Sequence, residues 1–281
     1  MVGLRKTYGL INFNMIPKII HYCWFGGNPL PELAKKCIES WRRFFPDYEI
    51  KEWNEDNFDI NIVPYTTEAY KAKKYAFVSD YARFWILYKY GGLYFDTDVE
   101  VIKSMDKIID RGNFMGCEKA AISGATPMQM GVNPGLGLGM NSGLGLLKEI
   151  LDAYATFHFY NEDGTFNTKT IVDYTSEILC KHGLQNTSKI QNVADVWIYP
   201  HDYFAPKNVD TKLLTITNNT VSIHHYDASW AEWYDRAAGE RGPKLERLLG
   251  KRLGGCINSY IYIYQRWGIM GAFKKYLKTG K

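Results

Sequence analysis

The stretch from Ala76 to Tyr90, AFVSDYARFWILYKY, is almost wholly apolar and carries only Asp80, Arg83 and Lys89 as charged residues. It runs straight into Gly91-Gly92, then Leu93-Tyr94-Phe95, then the triplet Asp96-Thr97-Asp98. Residues 66–90 read as one or two helices, the second running from about Val78 to Tyr90, and the glycine pair supplies the left-handed stop. The short apolar run that follows is a buried strand ending in two carboxylates, with Val99-Glu100-Val101-Ile102 continuing extended. A buried helix feeding a buried strand confines the chain to layers of helices on a sheet. In such folds ligands gather beyond the carboxyl ends of strands, where the triplet sits.

The opening supports the same class. Ile16–Phe25 is β-rich and is closed by Gly26-Gly27-Asn28-Pro29; residues 31–45 space Leu33, Cys37, Trp41 and Phe44 helically, and Tyr48–Trp53 alternates as a second strand. A strand–helix–strand opening predicts a parallel sheet, and 281 residues suffice for one large α/β domain. Helices are expected over 145–158 and 168–182, and strands over 193–199 and 215–223. The glycine-rich segment GVNPGLGLGMNSGLGLL at 131–147 lacks the phosphate-loop lysine and does not follow the opening strand. It reads either as a close-approach loop under a sugar or acceptor, or as a flexible connection.

Charge is unevenly divided. Residues 241–281 hold ten Lys/Arg against one acid, Glu246, which leaves 24 basic and 29 acidic residues in the first 240. A nucleic-acid surface on the main body is therefore not expected. The five cysteines form no CxxC pair, so neither a zinc site nor a disulfide framework is indicated, and a reducing cytoplasm is the expected setting. The first 14 residues have no apolar signal core and read as a dispensable leader before Met15. No run of about 18 uncharged apolar residues occurs, so no membrane-spanning helix is expected.

Two carboxylates one residue apart have a reason to converge when a divalent cation, Mn²⁺ or Mg²⁺, lies between them and a diphosphate. Asp80 and Arg83 share a helical face, where they form either a surface salt bridge or a buried pair with a task. A carboxylate there can bind sugar hydroxyls and an arginine can hold phosphate.

The runs IPKIIHYCWFGG, AFVSDYARFWILYKYGGLYFDTDVE and IHHYDASW together resemble the retaining glycosyltransferases with a sugar-binding DXD region, including capsular-polysaccharide, fungal outer-chain mannosyltransferase-like and large-clostridial-toxin-like enzymes. The resemblance spans residues 16–105 and returns at 221–230. It implies a GT-A type, Rossmann-like mixed sheet flanked by helices over residues 15–240, with a basic helical tail over 241–281. It implies a nucleotide-sugar donor, with a UDP-hexose preferred, and retention of anomeric configuration. By the same resemblance Trp24 stacks on the base, against the alternative of a core tryptophan. Asp80 and Arg83 contact the donor sugar, Tyr94 lies by the ribose or sugar, and Asp96 reaches sugar hydroxyls and meets the metal through water. Asp98 binds the metal directly. His225, with His224 as competitor, completes the metal shell, and Ser229 and Trp230 cover the phosphates. No catalytic base or nucleophile is assigned, since a front-face mechanism, with the departing phosphate oxygen helping to deprotonate the acceptor, needs none.

The tail mixes lysines and arginines with tyrosines, Trp267 and Phe273. It suits a helix on an anionic membrane surface, near a lipid-linked saccharide acceptor at the inner leaflet, or else a helical subdomain with a solvated basic face. The expected role is transfer of a hexose or N-acetylhexosamine to a glycan or lipid-linked acceptor in capsule, exopolysaccharide or lipopolysaccharide synthesis. The alternatives are an effector-like transferase acting on a host protein, a metal-dependent glycosidase or phosphohydrolase, and a non-catalytic carbohydrate-binding module.

Overall fold

Trp24 and Asp96 leave neighbouring strands at the same edge of a central sheet. The computed structural model describes residues 15–167, 169–209, 211–227 and 233–279. In it, β1 (Ile19–Cys23), α1 (Glu32–Phe44) and β2 (Glu49–Trp53) form the expected strand–helix–strand unit, with β1 and β2 parallel. Next, α2 (Pro64–Lys71) and α3 (Tyr75–Tyr90) carry the chain back across β1 to β3 (Gly92–Tyr94), which pairs parallel on its other side. The direction of strand addition reverses at β1, which opens a crevice beyond the carboxyl ends of β1 and β3.

The sheet continues through β5 (Phe114–Cys117), β6 (Val132–Asn133), β7 (Leu138–Met140), β8 (Gln191–Val193) and β9 (Val196–Tyr199), in the order β2-β1-β3-β7-β5-β9-β8 with β6 on β5. The strands β1, β2, β3, β5 and β9 run one way while β6, β7 and β8 run the other, so the sheet is mixed, as expected. A short helix α4 (Asp106–Ile109) precedes β5, and α5 (Gly145–Tyr154) and α6 (Ile171–Lys181) follow β7. Thr170 and Asp173 close a capping box at the start of α6. A separate two-stranded ribbon pairs β4 (Val99–Val101) with β10 (Ser222–His224).

Some boundaries differ from the sequence reading for local reasons. The helix expected from Val78 starts at Tyr75. The strand expected over 193–199 is a hairpin, because Ala194 and Asp195 both take positive φ (50° and 63°) and turn the chain. The strand expected over 215–223 contracts to β10. The glycine-rich segment is not a flexible connection; it supplies β6 and β7, buried in the sheet. Its glycines leave room for large neighbours: a Cβ on Gly139 would lie 2.3 Å from the Phe114 ring.

One buried contact fixes the stop between α3 and β3. Trp53 donates from Nε1 to His21 Nδ1 at 3.0 Å, so the opposite ring nitrogen carries the proton and donates to the Gly91 carbonyl at 3.0 Å. Burial lowers the His21 pKa to about 4, so this histidine stays neutral and structural. Gly91 and Gly92 have φ of 64° and 104°, and a Cβ on Gly92 would lie 2.7 Å from the Ile19 carbonyl oxygen.

The chain divides into two compact units, the first ending at His225 and the second holding 209–211 and residues from Tyr226 onward. The division thus falls before the expected one at 240/241. In the second unit α7 (Trp233–Leu249) and α8 (Lys251–Thr279) pack as a hairpin, which agrees with the helical tail. Among the described residues, no helix is long and apolar enough to cross a membrane.

Gly92→Ala tests the stop. Left-handed strain alone costs about 1–2 kcal/mol, and the Ile19 contact adds to it, so the urea midpoint falls by at least that equivalent. An unchanged midpoint would show that the pair is only a linker.

Candidate functional site

The site begins with a buried cation. Helix α3 presents Asp80 and Arg83 one turn apart toward the end of β3, and Arg83 is 4% exposed. Its Nη2 lies 2.9 Å from Asp80 Oδ1 and 3.3 Å from Asp96 Oδ1, while Nε donates to the Ser79 carbonyl at 3.2 Å. The guanidinium also sits 5.1 Å from the centre of the Tyr94 ring. Of the two readings of Asp80 and Arg83, the surface salt bridge is excluded.

Tyr94 is buried and donates its hydroxyl to Asp96 Oδ1 at 3.2 Å. One arginine therefore serves two carboxylates. Burial pushes Asp80 up to about 7 against the pull of Arg83, and Asp96 adds to the rise. Burial likewise raises Asp96, opposed by Arg83 and His224. Burial disfavours the charge of Arg83, but Asp96, Tyr94 and Asp80 outweigh it, and its pKa rises.

The sheet presses a second element onto Asp96. Its backbone N–H donates to the Gly135 carbonyl at 3.2 Å, and Gly135 N donates to Asn133 Oδ1 at 2.7 Å. A Cβ on Gly135 would lie 2.0 Å from Asp96 Oδ2. The glycine-rich segment thus approaches this carboxylate closely.

Past Asp96 the chain turns through a Val99 N–H to Asp96 carbonyl bond of 3.0 Å and enters β4. Antiparallel pairing sets His224 opposite Val99 and brings its Nε2 to 3.1 Å from Asp98 Oδ1 and 4.0 Å from Asp96 Oδ2. Burial alone would lower the His224 pKa, yet the Asp98 charge and hydrogen bond, with Asp96 and Glu118, raise it. His225 takes another direction, its backbone N–H donating to the Asp98 carbonyl at 2.9 Å and its ring Nε2 lying 2.9 Å from Glu100 Oε2. Successive residues of an extended chain point to opposite faces, so only one of the pair can meet the carboxylates. The geometry reverses the expected order: His224 is brought to Asp98, and His225 to Glu100, which Lys36 also pairs at 3.1 Å.

Trp24 follows β1 and is partly exposed, with its indole N–H donated to the Asn28 carbonyl at 2.6 Å. It lies at the same sheet edge as Asp96, outside the core cluster. Ser229 and Trp230 lie outside the described residues. Sequence reasoning missed Asn133, Gly135 and Glu118. Glu118 follows β5 at the same sheet edge; burial raises its pKa, eased by His224, Lys119 and Asn133. The signal was available, since Glu118 follows a buried FMGC strand much as Asp96 follows Leu93-Tyr94-Phe95.

Among the described residues no group of three or more His, Cys, Asp or Glu side chains is gathered to hold a metal ion. Asp98 and His224 nonetheless fit as two ligands. Their donor atoms are 3.1 Å apart, and neighbouring ligands of an octahedral cation with bonds near 2.1 Å stand about 3.0 Å apart. Mg²⁺ commonly takes its remaining ligands from phosphate oxygens and water, so a third protein donor is not required.

Residues 31–115 match the family model described as a glycosyltransferase sugar-binding region containing DXD motif. That segment holds Asp80, Arg83, Tyr94, Asp96 and Asp98, and the likeness to that family covers less than half of the chain. Inositol phosphoceramide mannosyltransferase 3 of Schizosaccharomyces pombe is 35% identical over 102 residues, covering 34% of this chain and 27% of the relative. A glycosyltransferase of Acanthamoeba polyphaga mimivirus, described as uncharacterized, is 33% identical over 111 residues, 37% of this chain and 44% of the relative. The mannosyl phosphorylinositol ceramide synthase of Saccharomyces cerevisiae is 29% identical over 140 residues, 47% of this chain and 35% of the relative. The chain therefore spans less than half the length of these relatives. Among solved structures the PaToxG glycosyltransferase is similar at 17% identity and a TM-score of 0.38, over 59% of this chain and 70% of that one.

Burial of Asp80 gives a pH signature in EDTA. Asp80 has a folded-state pKa raised from 3.8 to about 7, so its contribution is full below pH 3.8 and is lost as pH rises through 7. Stability should fall over that window, measured as the urea midpoint at each pH, and Asp80→Asn should flatten the fall. An identical slope in the variant would remove Asp80 as its source.

Proposed function

We propose that this chain is a glycosyltransferase that moves a hexose from a nucleotide-sugar to a hydroxyl of a glycan or lipid-linked saccharide. The observation that carries the reading is the meeting of Asp96, Asp98 and His224 at the crevice between β1 and β3, on a charge network anchored by Arg83. In this reading Asp98 and His224 hold Mn²⁺ or Mg²⁺, and Asp96 faces the donor sugar. The cation, when bound, neutralises charge that develops on the departing nucleoside diphosphate. Arg83 keeps Asp96 oriented, and Gly135 keeps the carboxylate's approach open. Trp24 offers a ring to the nucleotide base across the same crevice. Retention is part of the proposal and rests on the sequence resemblance.

The Schizosaccharomyces pombe relative is named an inositol phosphoceramide mannosyltransferase, and the Saccharomyces cerevisiae one a mannosyl phosphorylinositol ceramide synthase. Their names favour a lipid-borne acceptor and put mannose on the donor panel beside the UDP-hexoses preferred from sequence. Capsule or lipopolysaccharide synthesis is a narrower version of this reading, as is a cytoplasmic reaction at the inner leaflet.

The test follows nucleoside-diphosphate release from a panel of UDP- and GDP-sugars with Mn²⁺. A cation acting as Lewis acid supplies several kcal/mol, so EDTA or Asp98→Ala should lower turnover about 1000-fold. His224→Ala should fall with them, while His225→Ala retains most activity. Equal activity in EDTA and in Asp98→Ala would sink the metal-dependent reading.

Trp24→Ala reports on the donor separately. Base stacking on an aromatic ring is worth about 1–3 kcal/mol, so donor KM should rise with kcat little changed. A fall in kcat at constant KM would assign Trp24 to folding or chemistry instead.

A further inference from the structure

The second unit is held by a close contact between two helices. Where α8 meets α7, small and polar residues lie in the contact beside half-buried Leu245 and Ile261. A Cβ on Gly254 would lie 2.5 Å from the Leu245 carbonyl carbon, and one on Gly242 would lie 2.8 Å from Asn258 Nδ2, so the two helices touch backbone to backbone. A polar clasp crosses the contact. Asn258 donates to the Ala238 carbonyl at 3.0 Å, while Arg241 donates to Asn258 Oδ1 at 2.9 Å and to Gln265 Oε1 at 3.2 Å.

Another set of apolar side chains on α8 is exposed. Leu253, Tyr260 and Tyr264 are 53%, 60% and 55% exposed, and with exposed Cys256 they recur at the three- and four-residue spacing of one helical stripe. At about 100° per residue that stripe lies roughly 130° around α8 from the Gly254–Asn258–Gln265 contact. Exposed Arg252 borders it, and no acidic residue follows Glu246 in the sequence.

We propose that the Leu253–Tyr264 face of α8 docks on an anionic lipid surface. Charge complementarity identifies the occupant: a stripe of leucine and tyrosine bordered by Arg252, in a segment with ten Lys/Arg against one acid, matches the acyl–headgroup boundary of an anionic leaflet. Tyrosine suits that boundary because its ring is apolar and its hydroxyl remains wet. The polar clasp keeps the hairpin folded without using the apolar stripe, which leaves the stripe free for lipid. Donor binding and sugar transfer play no part in the argument.

The experiment is sedimentation of the full-length chain with vesicles of phosphatidylcholine and of phosphatidylcholine mixed with phosphatidylglycerol. Binding is expected to the mixture, to weaken with salt, and to drop about fivefold for Arg252→Glu. The pair Tyr260→Ser and Tyr264→Ser should abolish it, with helix content by circular dichroism unchanged because the clasp is untouched. Equal binding to both vesicle types, no binding, or indifference to the tyrosine pair would overturn the proposal. A concentration-dependent dimer that disappears with the same tyrosine pair, without vesicle binding, would also overturn it and name a second copy as the occupant. Nucleotide-sugar turnover in the absence of vesicles should be the same in all variants, so failure here is distinguishable from failure of the proposed activity.

Discussion

The guanidinium of Arg83 is the constraint around which the first unit is arranged. A buried cation is tolerable only with partners, and removing one side of such a pair typically costs about 3–5 kcal/mol. Asp80 supplies one partner from the same helix and Asp96 the other from the end of β3. Because both ends of the bridge are fixed, α3 cannot slide along the sheet without stranding a charge. The glycine stop, the buried β3 and the carboxylate pair are thereby held in one register. Tyr94 reinforces it, stacked near Arg83 and hydrogen-bonded to the same carboxylate oxygen.

This arrangement leaves the two acids of the triplet in different circumstances. Asp96 is tied on three sides, by Arg83, Tyr94 and the Gly135 backbone, yet keeps 29% of its side chain exposed. Asp98 faces His224 from the neighbouring ribbon. The protein thus sets a rigid, charge-compensated carboxylate beside one that faces an imidazole with a raised pKa. In such a pair a cation competes with a proton: His224 must release its proton to become a ligand.

Much of the first unit was legible because local signals and burial agreed. The apolar run before Gly91-Gly92, the carboxylates directly after a buried strand and the strand–helix–strand opening each named an element and its place. What could not be read was contact between segments distant in the chain. Periodicity does not say that Gly135 must be glycine because Asp96 Oδ2 lies where its Cβ would be. The order of His224 and His225 depended on the register of β10 against β4, and a slip of one residue exchanges their faces. Likewise the break at Ala194-Asp195 rests on two positive φ angles that ordinary residues seldom adopt, which no propensity foretells. Glu118 carried the same strand-end signal as Asp96 but lacked a second carboxylate to draw attention to it.

The ribbon that joins β4 to β10 closes a loop of great length, its side-chain pair Glu100–His225 standing 125 positions apart. Closing such a loop costs entropy that only later contacts return, and pairings of this range form slowly. As the chain leaves the ribosome, the carboxylates of the triplet exist long before the imidazole that faces them. An emerging or truncated chain would hold Asp96 and Asp98 but not His224, leaving it without one of the donor atoms gathered in the folded protein. Completion of the fold and assembly of that set of donors are the same event in time.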